Sequence, residues 1–315
     1  MSSFGRRGAR GVYCRIATIV LAGAACAPSA TAGTIRHDRA DSAYTTPASS
    51  ASYNAVGHFG DFTGGTLFRL NTTDTSSVYV LTAAHIGLPG GGFTINGQNI
   101  AVVARTVHPD FDNDTTQNDI AVVQLASAPV GVTPITLYTG NTEATQTATI
   151  VGYGATGTGL TGATAGTQGT KRAGTNVVDA YAQTLANGAI VATPDNSASN
   201  YKLVTDFDAP AGTVGTFPSA FGSPVPLDTE YQVADKDSGG ALILNISGVD
   251  YLAGLTSQIV NFNADGTGTG YSDWSVFTRV SSFQTFVAGV VPEPGAVGLM
   301  GLCAAVGLLA RRRRD

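Results

Sequence analysis

Short apolar runs rich in Val, Ile and Thr recur along the chain from about residue 58, with glycine-, asparagine- and proline-containing turn signals between them. Runs of this length favour β-strands and are too short for helices that could pack a core. Glycine contributes 40 of the 315 residues and charged residues only 12%, which is typical of a turn-rich β protein. Heptads of a coiled coil are absent. The sequence therefore predicts an all-β fold.

Two groups of predicted strands flank a Gly/Thr/Ala-rich stretch at residues 154–169, whose composition favours a flexible surface loop. The first group comprises residues 66–70, 78–82, 92–95, 100–106, 120–125 and 147–153. The second comprises residues 175–182, 201–206, 241–246, 251–259 and 276–280, with a short helix at 282–288. We therefore expect two β modules joined near residues 154–174.

The N-terminal residues 1–32 have the composition of a secretory signal peptide. Four arginines within residues 6–15 precede an apolar run at 16–25, and small residues at 30–32 offer a cleavage site. An ordinary buried N-terminal segment is the alternative. Residues 33–54 are polar and weakly patterned, which predicts an N-terminal arm.

The C-terminal residues 291–315 contain Pro292-Glu293-Pro294, an apolar run at 295–310 and then four arginines. That run reaches about 24 Å as a helix, just short of a bilayer core, and the arginines would stay cytoplasmic. This ending resembles the PEP-CTERM sorting signal of Gram-negative bacteria. The resemblance implies transient inner-membrane anchoring by a transmembrane segment at 295–310, cleavage by an exosortase-type enzyme, and release to the envelope or cell exterior. A plain C-terminal membrane anchor is the alternative.

Between the two ends, residues 33–291 carry 9 basic and 20 acidic side chains. This negative charge argues against nucleic acid and anionic membrane surfaces as partners. All three cysteines lie in the two ends, which predicts a domain without disulfides.

No group of His, Cys and Asp residues has the spacing of a metal site. Asp110, Asp112 and Asp114 alternate, but the glycine and the acidic twelfth position of a calcium loop are missing. The sequence therefore predicts neither a metal nor a cofactor.

Three short segments carry the residue types of nucleophilic catalysis. Leu-Thr-Ala-Ala-His ends at His85, Asn-Asp-Ile-Ala contains Asp119, and Asp-Ser-Gly-Gly contains Ser238. These segments, in this order, resemble the trypsin/chymotrypsin-like serine peptidases. Flanking segments agree in the same order: His108-Pro109, Gly152-Tyr153-Gly154, residues 254–257, and residues 276–280 with Phe283 and Phe286. The resemblance covers a domain at about residues 55–290. It implies two six-stranded antiparallel β-barrels, near 55–153 and 170–280, and a short C-terminal helix.

The resemblance also implies a role for each residue. Ser238 would attack a carbonyl, His85 would take its proton, and Asp119 would orient the imidazole. The amides of Lys236 and Ser238 would face the oxyanion, and Ser257, beside the substrate, would donate to Asp119.

Each member of the triad has a structural alternative when it is taken singly. His85 could end a strand, while Asp119 and Ser238 could lie in ordinary turns. The flanking matches favour the joint interpretation. The other three histidines, His37, His58 and His108, are expected to be structural or surface residues.

The chain departs from the family at several positions. Lys236 replaces the usual glycine, which would disturb the oxyanion hole if glycine geometry were required there. Ile86 replaces the cysteine that commonly follows the histidine. No usual zymogen cleavage site is present, and Asp237 would normally pair with a new N-terminal ammonium. Whether signal cleavage near Gly33 supplies that ammonium stays open.

The sequence thus predicts an exported serine endopeptidase that acts on protein or peptide substrates. A catalytically weak or inactive surface or matrix protein on a protease scaffold is the alternative. By resemblance, Gln232 lies at the base of the primary specificity pocket, and a neutral amide there predicts no strict preference for Arg or Lys. Asp273 or Asp235 could supply a charge instead.

Overall fold

The computed structural model describes residues 33–74, 77–88, 90–197, 200–213, 225–262 and 269–292. Strands dominate these residues, and the α-helices among them are α1 (Ser42–Ala48) and α2 (Gln284–Val290). The fold is all-β with a short C-terminal helix, as the sequence predicts, and is consistent with the chymotrypsin-like class. The predicted signal at 1–32 and the apolar tail segment at 295–310 lie outside the described residues.

The first ten strands extend to residue 152. They are β1 (Thr34–Ile35), β2 (Val56–Phe59), β3 (Gly64–Arg69), β4 (Tyr79–Thr82), β5 (Phe93–Ile95), β6 (Gln98–Ile100), β7 (Val102–Val107), β8 (Ala121–Leu125), β9 (Ile135–Leu137) and β10 (Thr147–Gly152). Seven of them pair antiparallel in the order β7-β8-β4-β3-β2-β5-β6. This run carries the residues that lead into His85 and Asp119.

The remaining strands follow residue 155. They are β11 (Thr156–Thr158), β12 (Gly162–Thr164), β13 (Arg172–Val177), β14 (Ala180–Thr184), β15 (Ile190–Thr193), β16 (Lys202–Asp206), β17 (Tyr231–Gln232), β18 (Ala241–Ile246), β19 (Val249–Val260) and β20 (Trp274–Arg279). Eight strands pair antiparallel in the order β13-β10-β18-β19-β20-β16-β14-β15. The short β9 pairs parallel with both β3 and β19 and so joins the two groups.

Two segments are more ordered than the sequence indicates. The stretch at 154–169, predicted as a flexible loop, contains the β11–β12 hairpin, and β11 pairs in parallel with β1. Residues 33–54, predicted as an arm, contain β1 and α1, and Tyr44 on α1 is fully buried. Arg172 fastens this segment by donating to Asp41 at 2.7 Å. Both segments gain their order from strands and side chains that are distant in sequence.

The predicted strand at 175–182 is divided in the structure. β13 pairs with β10, whereas β14 pairs with β16, so the chain changes partner at residues 178–179. Most other predicted strands lie within a few residues of their expected positions. The largest core cluster is apolar and includes Phe59, Leu67, Leu81 and Phe93 on the first strands. In the described ranges no helix has both the length and the apolar character needed to cross a bilayer.

Candidate active site

His85 and Asp119 are brought together by the β4–β8 ladder. Thr82 at the end of β4 pairs with Ala121 at the start of β8, so the segments outside these ends lie side by side. The His85 amide donates to Asp119 Oδ1 at 2.9 Å, and His85 Nδ1 lies 2.8 Å from Oδ2. Asp119 is fully buried, whereas the imidazole of His85 is 24% exposed and so remains accessible from solvent.

Ser238 completes a continuous chain of hydrogen bonds, because its Oγ lies 2.8 Å from His85 Nε2. The turn that carries Ser238 requires small neighbours. Gly239 has φ +76°, and a Cβ there would lie 2.3 Å from the carbonyl oxygen of Gly64. The Gly64 amide in turn donates to the Ser238 carbonyl at 2.7 Å, which holds the turn against β3. Any side chain at 239 would therefore displace the serine.

Asp119 has two further hydroxyl donors. Ser257 Oγ donates to its Oδ2 at 2.5 Å, and Thr278 Oγ1 donates to its main-chain oxygen at 2.9 Å. Burial alone would raise the pKa of Asp119, but hydrogen bonds from His85 and Ser257 and the charges of His85 and Lys202 lower it to about 2. The carboxylate is therefore ionised at neutral pH and holds the imidazole in one orientation.

The backbone before the serine leaves two amides without an acceptor. In the described part of the chain, the N–H groups of Asp237, Gly239 and Gly240 all donate to carbonyl oxygens, whereas those of Lys236 and Ser238 donate to none. Unpaired amides at alternate positions of a turn are suited to bind a developing oxyanion. These are the two amides that the sequence indicates.

Lys236 adopts φ +68°, the left-handed region that glycine enters without steric cost. The lysine is therefore accommodated in a backbone conformation that favours glycine. Its ammonium lies 3.1 Å from Asp61 Oδ2, and both side chains are about one-third exposed. This ion pair directs the lysine side chain toward the segment between β2 and β3.

Asp237 is buried beneath the same turn. Its Oδ1 accepts from the Gly154 amide at 2.8 Å and its Oδ2 from the Tyr231 hydroxyl at 3.1 Å, and the Gly33 amide also donates to it. Burial raises the pKa of Asp237 to about 6 despite these hydrogen bonds. A Cβ on Gly33 would lie 2.0 Å from Tyr231 Oη and 2.7 Å from Asp237 Oδ2. The first described residue thus fits against Asp237 only as glycine.

Among the described residues, Gln232 makes no hydrogen bond to His85, Asp119 or Ser238. It is fully buried on β17, where its Oε1 accepts from Ser275 Oγ at 2.6 Å. Asp273, which the sequence offers as a charge for the pocket, is also fully buried, and its two oxygens accept from the amides of Phe262 and Gly270, each at 2.9 Å. Both carboxylate oxygens of Asp273 therefore have main-chain donors from the segment that precedes β20.

Lys202 was not indicated by the sequence. It opens β16 and is fully buried, and its Nζ donates to Ser257 Oγ at 2.8 Å and to Thr278 Oγ1 at 3.3 Å. Burial lowers the pKa of Lys202 to about 8, although the charge of Asp119 opposes that shift. A lysine near the start of a predicted strand is ordinarily exposed, so no sequence signal distinguishes this one.

Arg105 is a second residue that the sequence does not indicate. Its guanidinium donates to the carbonyl oxygens of Ala84 and Ile86, at 2.7 Å for Ile86, and so holds both peptide groups around His85. Ile86, at the position of the family's cysteine, is buried in the core. Polar and apolar contacts therefore fix the segment that carries the imidazole.

The other three histidines contact residues outside the triad. His37 Nδ1 lies 2.7 Å from Tyr271 Oη, His58 Nδ1 lies 2.7 Å from the carbonyl oxygen of Phe59, and the ring of His108 packs against Phe283. Within the ranges that the structure describes, no three His, Cys, Asp or Glu side chains come together as a metal site.

Two family models match the chain. The model described as Trypsin matches residues 45–199, which include His85 and Asp119 and end before Ser238, and the PEP-CTERM protein-sorting motif matches residues 290–314. One similar protein is the serine protease Hayan of Drosophila melanogaster, 25% identical over 260 residues. The aligned part covers 76% of this chain and 36% of Hayan, so the chain spans about a third of that relative's length.

Proposed function

The chain carries a trypsin-family domain followed by a PEP-CTERM sorting motif, and on that premise we propose that it is an exported serine endopeptidase with His85, Asp119 and Ser238 as its triad. The single observation that carries this proposal is the position of the His85 imidazole. Its two nitrogens lie 2.8 Å from Asp119 Oδ2 and 2.8 Å from Ser238 Oγ. A base joined to both its orienting group and the nucleophile is the arrangement that acyl transfer requires.

In the proposed reaction, His85 Nε2 takes the proton of Ser238 Oγ as the oxygen attacks the carbonyl carbon of a peptide bond. Asp119 stabilises the resulting imidazolium, and the amides of Lys236 and Ser238 donate to the oxyanion. The imidazolium then gives its proton to the leaving amine, and an acyl-enzyme remains on Ser238. Water, deprotonated by the same imidazole, hydrolyses the ester and regenerates the serine.

Asp237 is a candidate for activation by signal cleavage. Cleavage after Ala32 would convert the Gly33 amide, which already donates to Asp237, into an α-ammonium. A positive charge at that position favours the ionised carboxylate and would offset its burial. Because Asp237 directly precedes Ser238, this ion pair would stabilise the turn that carries the two oxyanion amides. Export and activation would then be one event.

The sorting tail supports an envelope location. The PEP-CTERM match implies recognition by an exosortase, and we propose transient inner-membrane anchoring by residues 295–310 before release. Deletion of residues 295–315 should remove the membrane-bound form from cell fractions. Unchanged membrane association of the truncated protein would contradict the anchoring.

The proposed specificity rests on Gln232 and Asp273. If Gln232 lines the primary pocket, its neutral amide offers a substrate Arg or Lys no counter-charge, and the oxygens of Asp273 are already bonded to main-chain amides. We therefore expect better turnover of neutral residues before the scissile bond. Mass spectrometry of a whole-proteome digest tests this, and cleavage almost exclusively after Arg or Lys would refute it.

The proposed peptidase activity is tested by Ser238→Ala, with Ser282→Ala as the matched control. Ser282 is an exposed serine on the turn before α2. We expect Ser238→Ala to lower casein hydrolysis by about 10⁴-fold or more and Ser282→Ala to leave it unchanged. Equal hydrolysis by wild type and a folded Ser238→Ala protein would contradict the peptidase proposal. Absence of hydrolysis in the processed wild type would favour the alternative of an inactive surface or matrix protein.

A further inference from the structure

Lys202 is connected to the triad through two hydroxyl groups that contact Asp119. Its ammonium donates to Ser257 Oγ at 2.8 Å and to Thr278 Oγ1 at 3.3 Å. Each of these hydroxyls in turn donates to Asp119, Ser257 to the carboxylate and Thr278 to the main-chain oxygen. Two hydrogen-bonded paths therefore run from one buried cation to the same aspartate.

The direction of the hydrogen bonds follows from the ammonium. A protonated lysine has donors and no acceptor, so Ser257 and Thr278 must accept from Lys202 and have their own protons free for Asp119. With no cation there, either hydroxyl could rotate and the carboxylate could lose a donor. Charge-assisted hydrogen bonds of this kind are stronger than neutral ones and fix both partners.

The charges are close enough to interact. The bonds of 2.8 Å and 2.5 Å through Ser257 place the ammonium within the range of about 4–6 Å at which an opposite charge favours an ionised carboxylate. Asp119 and Lys202 are both fully buried, so screening by water and salt is weak. A fully buried lysine is costly to desolvate and is expected only where such a partner offsets that cost.

Other charged and titratable groups near Lys202 have partners elsewhere. On β20, Arg279 next to Thr278 is paired with Glu143 at 2.8 Å. On β14, the Tyr181 hydroxyl donates to the carbonyl of Asn141, and the Tyr201 hydroxyl donates to the carbonyl of Thr184. Asp206 lies at the far end of β16, and Ser257 is the contact from β19. Asp119 is the group whose charge acts on Lys202.

We propose that Lys202 is a positioning residue of the triad, whose ammonium acts through Ser257 and Thr278 to hold Asp119 oriented and to offset its charge at His85. The inference rests on the proposed peptidase function. Its consequence concerns protonation of the imidazole. A buried positive charge near His85 disfavours imidazolium, so Lys202 would extend activity to lower pH. Without it, Asp119 would attract the proton more strongly and His85 would remain protonated over a wider range.

The test compares Lys202→Met, which removes the charge and retains an apolar side chain, with Lys202→Gln, which retains a donor. Lys171→Met is the matched control, since Lys171 is also an enclosed lysine but contacts the Tyr53 carbonyl and the Tyr153 ring. We expect the acidic limb of kcat/KM to move up by roughly 0.5–1 pH unit in both Lys202 variants and to stay in place in the control. A uniform loss of activity with an unmoved limb would overturn the proposal, because a merely structural role predicts that result.

A second readout does not depend on activity. The chemical shift of the His85–Asp119 proton can be followed against pH by NMR in Ser238→Ala protein with and without Lys202→Met, and we expect the midpoint of its change to move up by the same amount. An unmoved midpoint overturns the inference even if the wild type proves inactive, whereas a moved midpoint in an inactive protein refutes only the peptidase function. If both Lys202 variants fail to fold, the same signal is followed near pH 8 in the Ser238→Ala protein with and without Lys171→Met, because burial lowers the pKa of Lys171 to about 8 as well. The His85–Asp119 proton signal should then sense the loss of the lysine charge, and a signal that does not move contradicts the proposal.

Discussion

Two regions of the chain, residues 55–153 and residues 170–280, bury different kinds of side chain. Among described residues 55–153, the buried charged residues are three: Asp74, Asp119 and Glu143. Among described residues 170–280 they are eight: Arg172, Lys202, Asp206, Asp208, Glu230, Asp237, Asp273 and Arg279. The first region therefore has a mainly apolar core, and it supplies His85 and Asp119. The second region supplies the nucleophile and contains most of the buried charges, several of which have specific partners.

This difference means that the two regions tolerate substitution of their buried side chains to different degrees. Apolar burial in the first region is non-directional and tolerates substitution of similar volume. Buried charges in the second region depend on particular partners, because an uncompensated charge in the interior is strongly destabilising. We therefore expect function to respond most sharply to changes near the second region's buried charges.

Outside the triad, the largest effect is expected from Gly33→Ala. The new methyl group would overlap the Tyr231 hydroxyl and approach Asp237, and it would displace the turn that carries Ser238. We expect a loss of kcat/KM on the order of 10²-fold, because small displacements in an active site have effects of that size. Gly289→Ala is the control, since nothing lies within 4 Å of a Cβ at that position on α2. Equal rates for both variants would break the proposed link between Gly33 and the site.

The next largest effect is expected in how the stability of the protein depends on pH. Burial raises the pKa of the partly buried Asp179 and of the buried Glu230, and the charges of neighbouring carboxylates raise both further. The pKa of Glu230 is raised to about 8. Such groups bind protons more tightly in the folded state, so they lower stability as pH rises from about 4 to 8. Asp119, whose pKa is lowered to about 2 in the folded protein, has the opposite effect on stability. Its contribution is lost only as the pH falls below its ordinary pKa of 3.8.

Asp179→Asn should therefore reduce the fall in melting temperature between about pH 5 and pH 8, by roughly 2–4 °C or more. The exposed Asp195→Asn is the control and should leave the slope unchanged. Thermal scans in the Ser238→Ala background avoid self-cleavage. Identical slopes for Asp179→Asn and the control would show that the second region's carboxylates are ionised without cost.

The smallest effect is expected at Lys236. A left-handed backbone conformation costs a non-glycine residue about 1–2 kcal/mol, and Lys236→Gly removes that cost. The same substitution also removes a partly exposed ion pair worth about 1 kcal/mol at most. These contributions oppose each other, so the free energy of unfolding should change by about 1 kcal/mol or less, with activity retained. A tenfold loss of activity measured in Lys236→Gly would mean that the lysine side chain takes part in the reaction.

The sequence indicates the first region better than the second. Alternating Val, Ile and Thr runs predict β4 and β8, and the ordered motifs identify the residues that the structure brings within hydrogen-bond distance. The hairpin β11–β12 was not predicted, because β1 pairs with it from more than a hundred residues away. Lys202 was not predicted either, since burial of a lysine depends on strands from three parts of the chain. Local propensity contains no information on such contacts.

The position of the nucleophile is the central claim, and labelling tests it most directly. The processed protein is treated with a serine-directed phosphonylating reagent, and the adduct is located by intact-mass measurement and peptide mapping. We expect one adduct, on Ser238, that His85→Ala strongly reduces in a protein that remains folded, because the hydroxyl reacts only when its proton is taken. An adduct on another residue, equal labelling of His85→Ala, or no labelling of the folded processed protein would contradict the account.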